Sequence, residues 1–170
     1  MRLERLGRVG ARLLAASLLL VSIACFALPW VTVQEDTRRA DATGLELVRR
    51  DVGISGRYVH ASSEGDVEVI VHNSETWARI ALVLLGLAVL LLLVPLRPVE
   101  WAALVVTGLA TLALVAWTQA ATADLPPPEG DMHGGFWLSL LFAGLALIPI
   151  VLLLRMRPPE RGGEWLDSFR

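Results

Sequence analysis

The sequence predicts an all-α membrane four-helix bundle that carries a small antiparallel β-sheet in its first outer loop. Three observations predict it. Four apolar runs, at 11–28, 77–96, 99–119 and 136–154, each come close to the ~20 residues that a helix needs to cross a ~30 Å hydrocarbon core. Hydrophobic residues make up 55% of the chain and its mean hydropathy is +0.58, which is a membrane-protein composition. The long segment between the first two runs contains alternating, β-branched stretches, which read as strands. A soluble chain of 170 residues would instead break its apolar residues into periodic stripes with charged faces.

The chain divides accordingly into an N-terminus (1–10), a first span (11–28), an outer sheet-forming loop (29–76), a second span (77–96), an inner turn (97–98), a third span (99–119), a second outer loop (120–135), a fourth span (136–154) and a tail (155–170). Orientation follows from arginine. Arg2, Arg5, Arg8 and Arg12 precede or open the first span, Arg97 lies in the short turn, and Arg155, Arg157, Arg161 and Arg170 follow the last span. The second outer loop holds Asp124, Glu129 and Asp131 and no arginine. The positive-inside rule then puts both termini in the cytoplasm and both larger loops outside. An alternative makes the first segment a cleaved signal peptide ending at Cys25-Phe26-Ala27. Cys25 is the single cysteine, which excludes an internal disulfide and a CxxC site. It reads as a lone thiol packed in a membrane helix.

In the outer loop, Trp30-Val31-Thr32-Val33-Gln34 alternates and reads as a strand, and 35–42 is polar and reads as a loop. Residues 43–48 restart order as a strand or a short helix. Segments 57–61 and 67–72 alternate again and form a hairpin about a 62–66 loop containing Gly65. Val67, Val69 and Val71 would then share one face, and Glu68, Ile70 and His72 the other. Trp30, Tyr58 and Ile70 in this region, with Trp165 in the tail, are the candidate partner-contacting residues. His60 and His72 could face each other across the hairpin and, with Glu68 or Asp66, hold a metal; His133 from the second outer loop is a third candidate, joining them only if the two outer loops touch. No HxH or HExxH spacing accompanies them, so ordinary strand and loop histidines are the competing reading.

Further along, Pro95-Leu96-Arg97-Pro98 forces spans two and three into an antiparallel helical hairpin, with the prolines stopping one helix and starting the next. Pro126-Pro127-Pro128 reads as a stiff spacer, and Pro149 predicts a kink in the fourth helix. Small residues, among them Ala15, Gly86, Ala88, Gly108, Ala110, Gly144 and Ala146, allow close helix approach. Trp30, Trp77, Trp101, Trp117 and Trp137 fall near span ends and read as an aromatic belt. The tail segment 164–170 carries Trp165, Leu166 and Phe169 and reads either as a membrane- or partner-docking turn or as unstructured.

The spans read as holding no ionisable side chain apart from Arg79, which would snorkel outward or pair with Glu75 or Asp131. Proton relays and transport sites need such groups. No nucleophile–base pair, phosphate loop or metal-ligand set accompanies them. All fifteen basic residues are arginine and the net charge is −2, which implies no nucleic-acid partner. The expectation is a non-catalytic membrane protein without a cofactor. It would be an accessory or assembly subunit that sits in a lipid bilayer and binds another membrane protein or a second copy of itself. The alternatives are a carrier of a lipid or small apolar ligand, with Trp30 and Trp77 at the mouth of its cleft, and a membrane-embedded metal site on the three histidines.

Two resemblances rest on Leu28-Pro29-Trp30 and Thr43-Gly44-Leu45-Glu46-Leu47. The order of spans and loops resembles the claudin-like architecture, whose first outer loop carries a Trp followed by Gly-Leu-Trp and two cysteines. Here Glu46 stands in place of the second Trp and both cysteines are absent. The same residues are similar to bacterial four-span proteins such as the tryptophan-associated transmembrane family, which share Leu-Pro-Trp at the end of span one and Thr-Gly-x-x-Leu soon after. That resemblance implies a bacterial inner-membrane protein without an assigned activity.

Overall fold

The computed structural model describes residues 2–35, 38–49, 67–124 and 130–156. In chain order it holds α1 (Arg2–Ala24), a 3-10 turn (Cys25–Ala27), β1 (Pro29–Glu35), β2 (Arg38–Thr43), α2 (Gly44–Arg49), α3 (Val67–Leu93), α4 (Arg97–Asp124), β3 (Gly130–Met132) and α5 (Gly134–Arg155). Four helices are long and apolar enough to cross a membrane, over Leu6–Ala27, Thr76–Leu93, Arg97–Ala121 and Gly134–Arg155. At 1.5 Å per residue, 22 residues reach about 33 Å, enough for the hydrocarbon core.

The helices pack in a ring, α1 on α3, α3 on α4, α4 on α5 and α5 back on α1. Each turns a seam of alternating three- and four-residue spacing inward. On α3 the seam is Ala78, Ala81, Leu85, Ala88 and Leu92; on α5 it is Phe136, Ser139, Ala143, Ala146, Ile150 and Leu153. On α4 it runs Glu100, Ala103, Thr107, Ala110, Leu114, Trp117 and Ala121, all buried. This is the period of left-handed bundle packing. Alanine dominates because lipid supplies no hydrophobic force between helices, so close van der Waals approach must do so. The opposite faces expose Leu13, Leu20, Val83, Leu90, Val105, Leu112, Leu141 and Ile148, as a lipid-facing surface requires. Gly86, Gly108 and Gly144 do not lie on the seams: an added Cβ meets nothing within 4 Å at any of them. Close approach rests on the alanines.

Helix boundaries follow local chemistry. α1 gives way to the 3-10 turn, and Leu28 is extended at φ −88°, ψ 159°, as a residue before proline prefers. Between α3 and α4, Leu96 accepts the Glu100 N–H at 3.0 Å, and Pro98 occupies the first turn, where a missing N–H is tolerated. α5 continues through the buried Pro149 to Arg155.

The strands form one antiparallel sheet of order β2-β1-β3. Its membership differs from the expected one in three places. Residues 38–42, read as part of a polar loop, form β2 together with Thr43, paired with β1 from Pro29↔Thr43 to Glu35↔Arg38. Gly130–Met132, between α4 and α5, is β3 and pairs with Val31, Thr32 and Val33. Segment 67–72, expected as a hairpin strand with alternating faces, is the first part of α3; continuing an existing helix adds a hydrogen bond per residue without a new nucleus. Its expected partner strand, 57–61, lies outside the described residues. The register shifts between Pro29 and Val31, so Trp30 is an extra residue on β1, a bulge that re-aims its side chain.

Candidate functional site

Two clusters of polar and aromatic side chains occupy opposite ends of the bundle. At the end formed by the start of α1, the α3–α4 turn and the end of α5, Arg8 and Arg12 meet Glu100. Arg8 Nη2 donates to both Glu100 carboxylate oxygens, at 2.9 and 3.0 Å, and Arg12 Nη2 donates to Oε1. Glu100 is 1% exposed, Arg8 12% and Arg12 18%. The pairing crosses between α1 and α4, which are not neighbours in the ring. It can do so because Arg8 and Arg12 continue the α1 seam, Phe26, Ser22, Leu19, Ala15, Arg12 and Arg8, spaced alternately by four and three residues. Arg12 Nε is buried and has no hydrogen-bond partner.

The opposite end is closed by four aromatic rings. Trp30 packs against Phe26 with tilted rings at 4.3 Å between centroids and meets Trp117 and Phe136 edge-on at 5.2 and 5.4 Å; Trp117 and Phe136 lie 4.8 Å apart. Phe26, Trp30 and Phe136 are fully buried and Trp117 is 1% exposed. Trp30 Nε1 donates to the Cys25 carbonyl at 3.0 Å, and Trp30 O accepts the His133 N–H at 2.8 Å. The Trp117 indole N–H is buried without an acceptor. From Arg12 to Phe26 along α1 and the 3-10 turn is about 21 Å.

The residues around Trp30 explain the segments that carried the family resemblances. Thr43 caps α2: its N–H and Oγ1 donate to Glu46 Oε2 at 2.8 and 3.0 Å, and the Glu46 N–H donates to Thr43 Oγ1 at 3.2 Å, a reciprocal capping box. Gly44 follows because its Cα faces the Trp30 ring. The far end of α2 is held by Arg79, whose Nε donates to the Val48 carbonyl at 2.8 Å. Between the two clusters, Ser22 Oγ donates to the Ser139 carbonyl at 2.8 Å and Ser139 Oγ to the Ser22 carbonyl at 3.1 Å, clamping α1 to α5.

Trp30 is enclosed in the aromatic plug and fully buried. Trp77, Trp101 and Trp137 are exposed, so the five tryptophans near span ends divide into three outward rings and two in the plug. His133 is the residue before α5 and half-buried. His72 and Ile70 are on α3, not on a strand. His60, Tyr58 and Trp165 lie outside the described residues. Among the described residues no group of three His, Cys, Asp or Glu side chains is placed to hold a metal. Cys25 is a free, buried thiol. The triad itself was missed: Arg12 and Glu100 fall inside the first and third apolar runs, which read as free of charge. Its signal is the inward spacing of Arg8, Arg12 and Glu100.

Comparison with protein-family models, with curated proteins and with solved structures finds no match.

Proposed function

We propose that the chain is a non-catalytic accessory or assembly subunit of a bacterial inner membrane. It would have both termini cytoplasmic and bind another membrane protein, or a second copy of itself, through its outer sheet and helix surfaces. The observation that supports this reading is the composition of the interior. Alanine seams, the Ser22–Ser139 clamp and the aromatic plug supply most of its buried side chains, a helix-packing interior rather than a set of reactive groups. The orientation is supported by the arginines: Arg8, Arg12, Arg97 and Arg155 belong to the end opposite the sheet, as the positive-inside rule asks.

The test is affinity purification of the full chain from native membranes in mild detergent, with crosslinking and mass spectrometry. A stoichiometric protein partner crosslinked to β1, β2 or β3 supports the proposal; recovery of an uncomplexed monomer refutes it. A second reading, a binder of a small apolar ligand carrying a hydrogen-bond acceptor, has the buried Trp117 N–H on its side, because buried donors without partners are rare. One enriched small molecule in the same eluate, lost in Trp117→Phe, would favour it.

A further inference from the structure

We propose that the Arg8–Arg12–Glu100 triad is a binding site for a single phosphate anion, supplied by an anionic phospholipid headgroup at the membrane surface or by phosphate in solution. Three observations carry it. First, among the described side chains the triad is unbalanced: two guanidiniums share one carboxylate, leaving one net positive charge on groups that are at least four-fifths buried. An uncompensated charge in such surroundings is costly, and a monoanion removes the imbalance. Second, the donors are not used up. Both arginines reach Glu100 through Nη2, and Arg12 Nε is buried with no acceptor. A guanidinium edge in that state suits bidentate phosphate recognition.

Third, the position suits a headgroup. Arg8 and Arg12 lie in the first turns of the membrane-crossing part of α1, which begins at Leu6. Glu100 lies in the first turn of α4. Met156, just past the end of α5, approaches Gly7 on α1: its Cε would lie 3.8 Å from a Cβ there. The exposed Arg97 and Arg155 belong to the same end and add to the positive field that draws anionic lipid. Glu100 engages both guanidiniums through Nη2, and Arg12 Nε is the buried donor that a phosphate oxygen would satisfy.

The test uses the purified full-length chain in neutral detergent, titrated with phosphatidylglycerol, phosphatidylcholine or inorganic phosphate. Native mass spectrometry and thermal unfolding are the readouts. Phosphatidylglycerol is expected to bind about fivefold more tightly than the net-neutral phosphatidylcholine, the effect of about one basic group at a membrane surface. Arg12→Gln should abolish that preference. Glu100→Gln should strengthen it, since it removes the internal competitor while keeping the side-chain volume; a merely structural ion pair predicts no gain. Stabilisation by phosphatidylglycerol alone identifies a lipid headgroup, and equal stabilisation by inorganic phosphate identifies a soluble anion. Equal binding of the two lipids without a phosphate effect overturns the proposal, as does a preference left unchanged or weakened by Glu100→Gln. Should Arg12→Gln fail to fold, the wild-type lipid comparison and Glu100→Gln still decide it.

Discussion

Gly44 lies so close to Trp30 that a Cβ in its place would stand 2.6 Å from Cε2 and 2.9 Å from Nε1 of the indole. The indole is hemmed in by Phe26, Trp117 and Phe136 and tied to the Cys25 carbonyl, so it cannot swing aside. Gly44→Ala therefore over-packs a rigid site and is expected to destabilise the protein by about 1–3 kcal/mol. Trp30→Ala removes the ring itself and should cost about 3–5 kcal/mol. Thermal unfolding in detergent measures both. The double variant distinguishes the cause: once Trp30 is Ala, Gly44→Ala should add almost nothing.

Gly135 makes the same kind of contact with backbone. A Cβ there would lie 2.6 Å from the Pro29 carbonyl oxygen and 2.7 Å from Leu28 Cβ, where the 3-10 turn passes the start of α5. Gly135→Ala is expected to be at least as damaging as Gly44→Ala, because a main-chain oxygen has no rotamer to change. Gly144→Ala, with open space around it, should be neutral or stabilising in the monomer, since alanine is favoured over glycine in a helix by about 1 kcal/mol. A large loss on Gly144→Ala would mean that this face is covered by another helix in the membrane.

The Ser22–Ser139 clamp predicts coupling between two distant positions. Each hydroxyl donates to the other residue's carbonyl, and both residues are fully buried. A double-mutant cycle of Ser22→Ala and Ser139→Ala should give a coupling energy of about 0.6–1.7 kcal/mol, the range for hydrogen bonds between membrane helices. Additive effects would show that each serine bonds its own helix instead.

The helices were legible in the sequence because a hydrocarbon layer dictates their length and composition, residue by residue. The sheet was only partly so. Trp30-Val31-Thr32-Val33 carries β-branched alternation and is a strand, but Arg38-Arg39-Ala40-Asp41-Ala42-Thr43 has no such preference and is a strand only because β1 pairs with it. β3 depends on a contact between residues about a hundred positions apart, which no local pattern reports. The run 67–72 has strand-like alternation, yet no Gly or Pro separates it from the helix that follows, and continuity with that helix wins. The capping box was readable as Thr43-x-x-Glu46 and would have settled the choice between strand and helix at 43–48. The triad was hidden for a different reason: arginines at the margin of a span read as topology signals, and only their three- and four-residue spacing from Ala15, Leu19 and Ser22 turns them inward.

That inward placement gives a prediction that separates stability from binding. Glu100→Ala leaves two largely buried guanidiniums without their carboxylate, and breaking a buried pair from one side costs about 3–5 kcal/mol. Replacing the whole triad by apolar side chains of similar volume, Arg8→Met with Arg12→Met and Glu100→Leu, removes every charge at once and is expected to match or exceed the wild type in thermal stability. Such a triple variant should fold and keep the four-helix bundle while showing no preference for phosphatidylglycerol over phosphatidylcholine. If it unfolds, the charges are needed to set the α1–α4 register. If it folds and still prefers the anionic lipid, the phosphate site lies elsewhere on the arginine-bearing end. Retained stability with lost preference would mean that the ion cluster is kept for what it binds, since an apolar interior would hold the helices together as well.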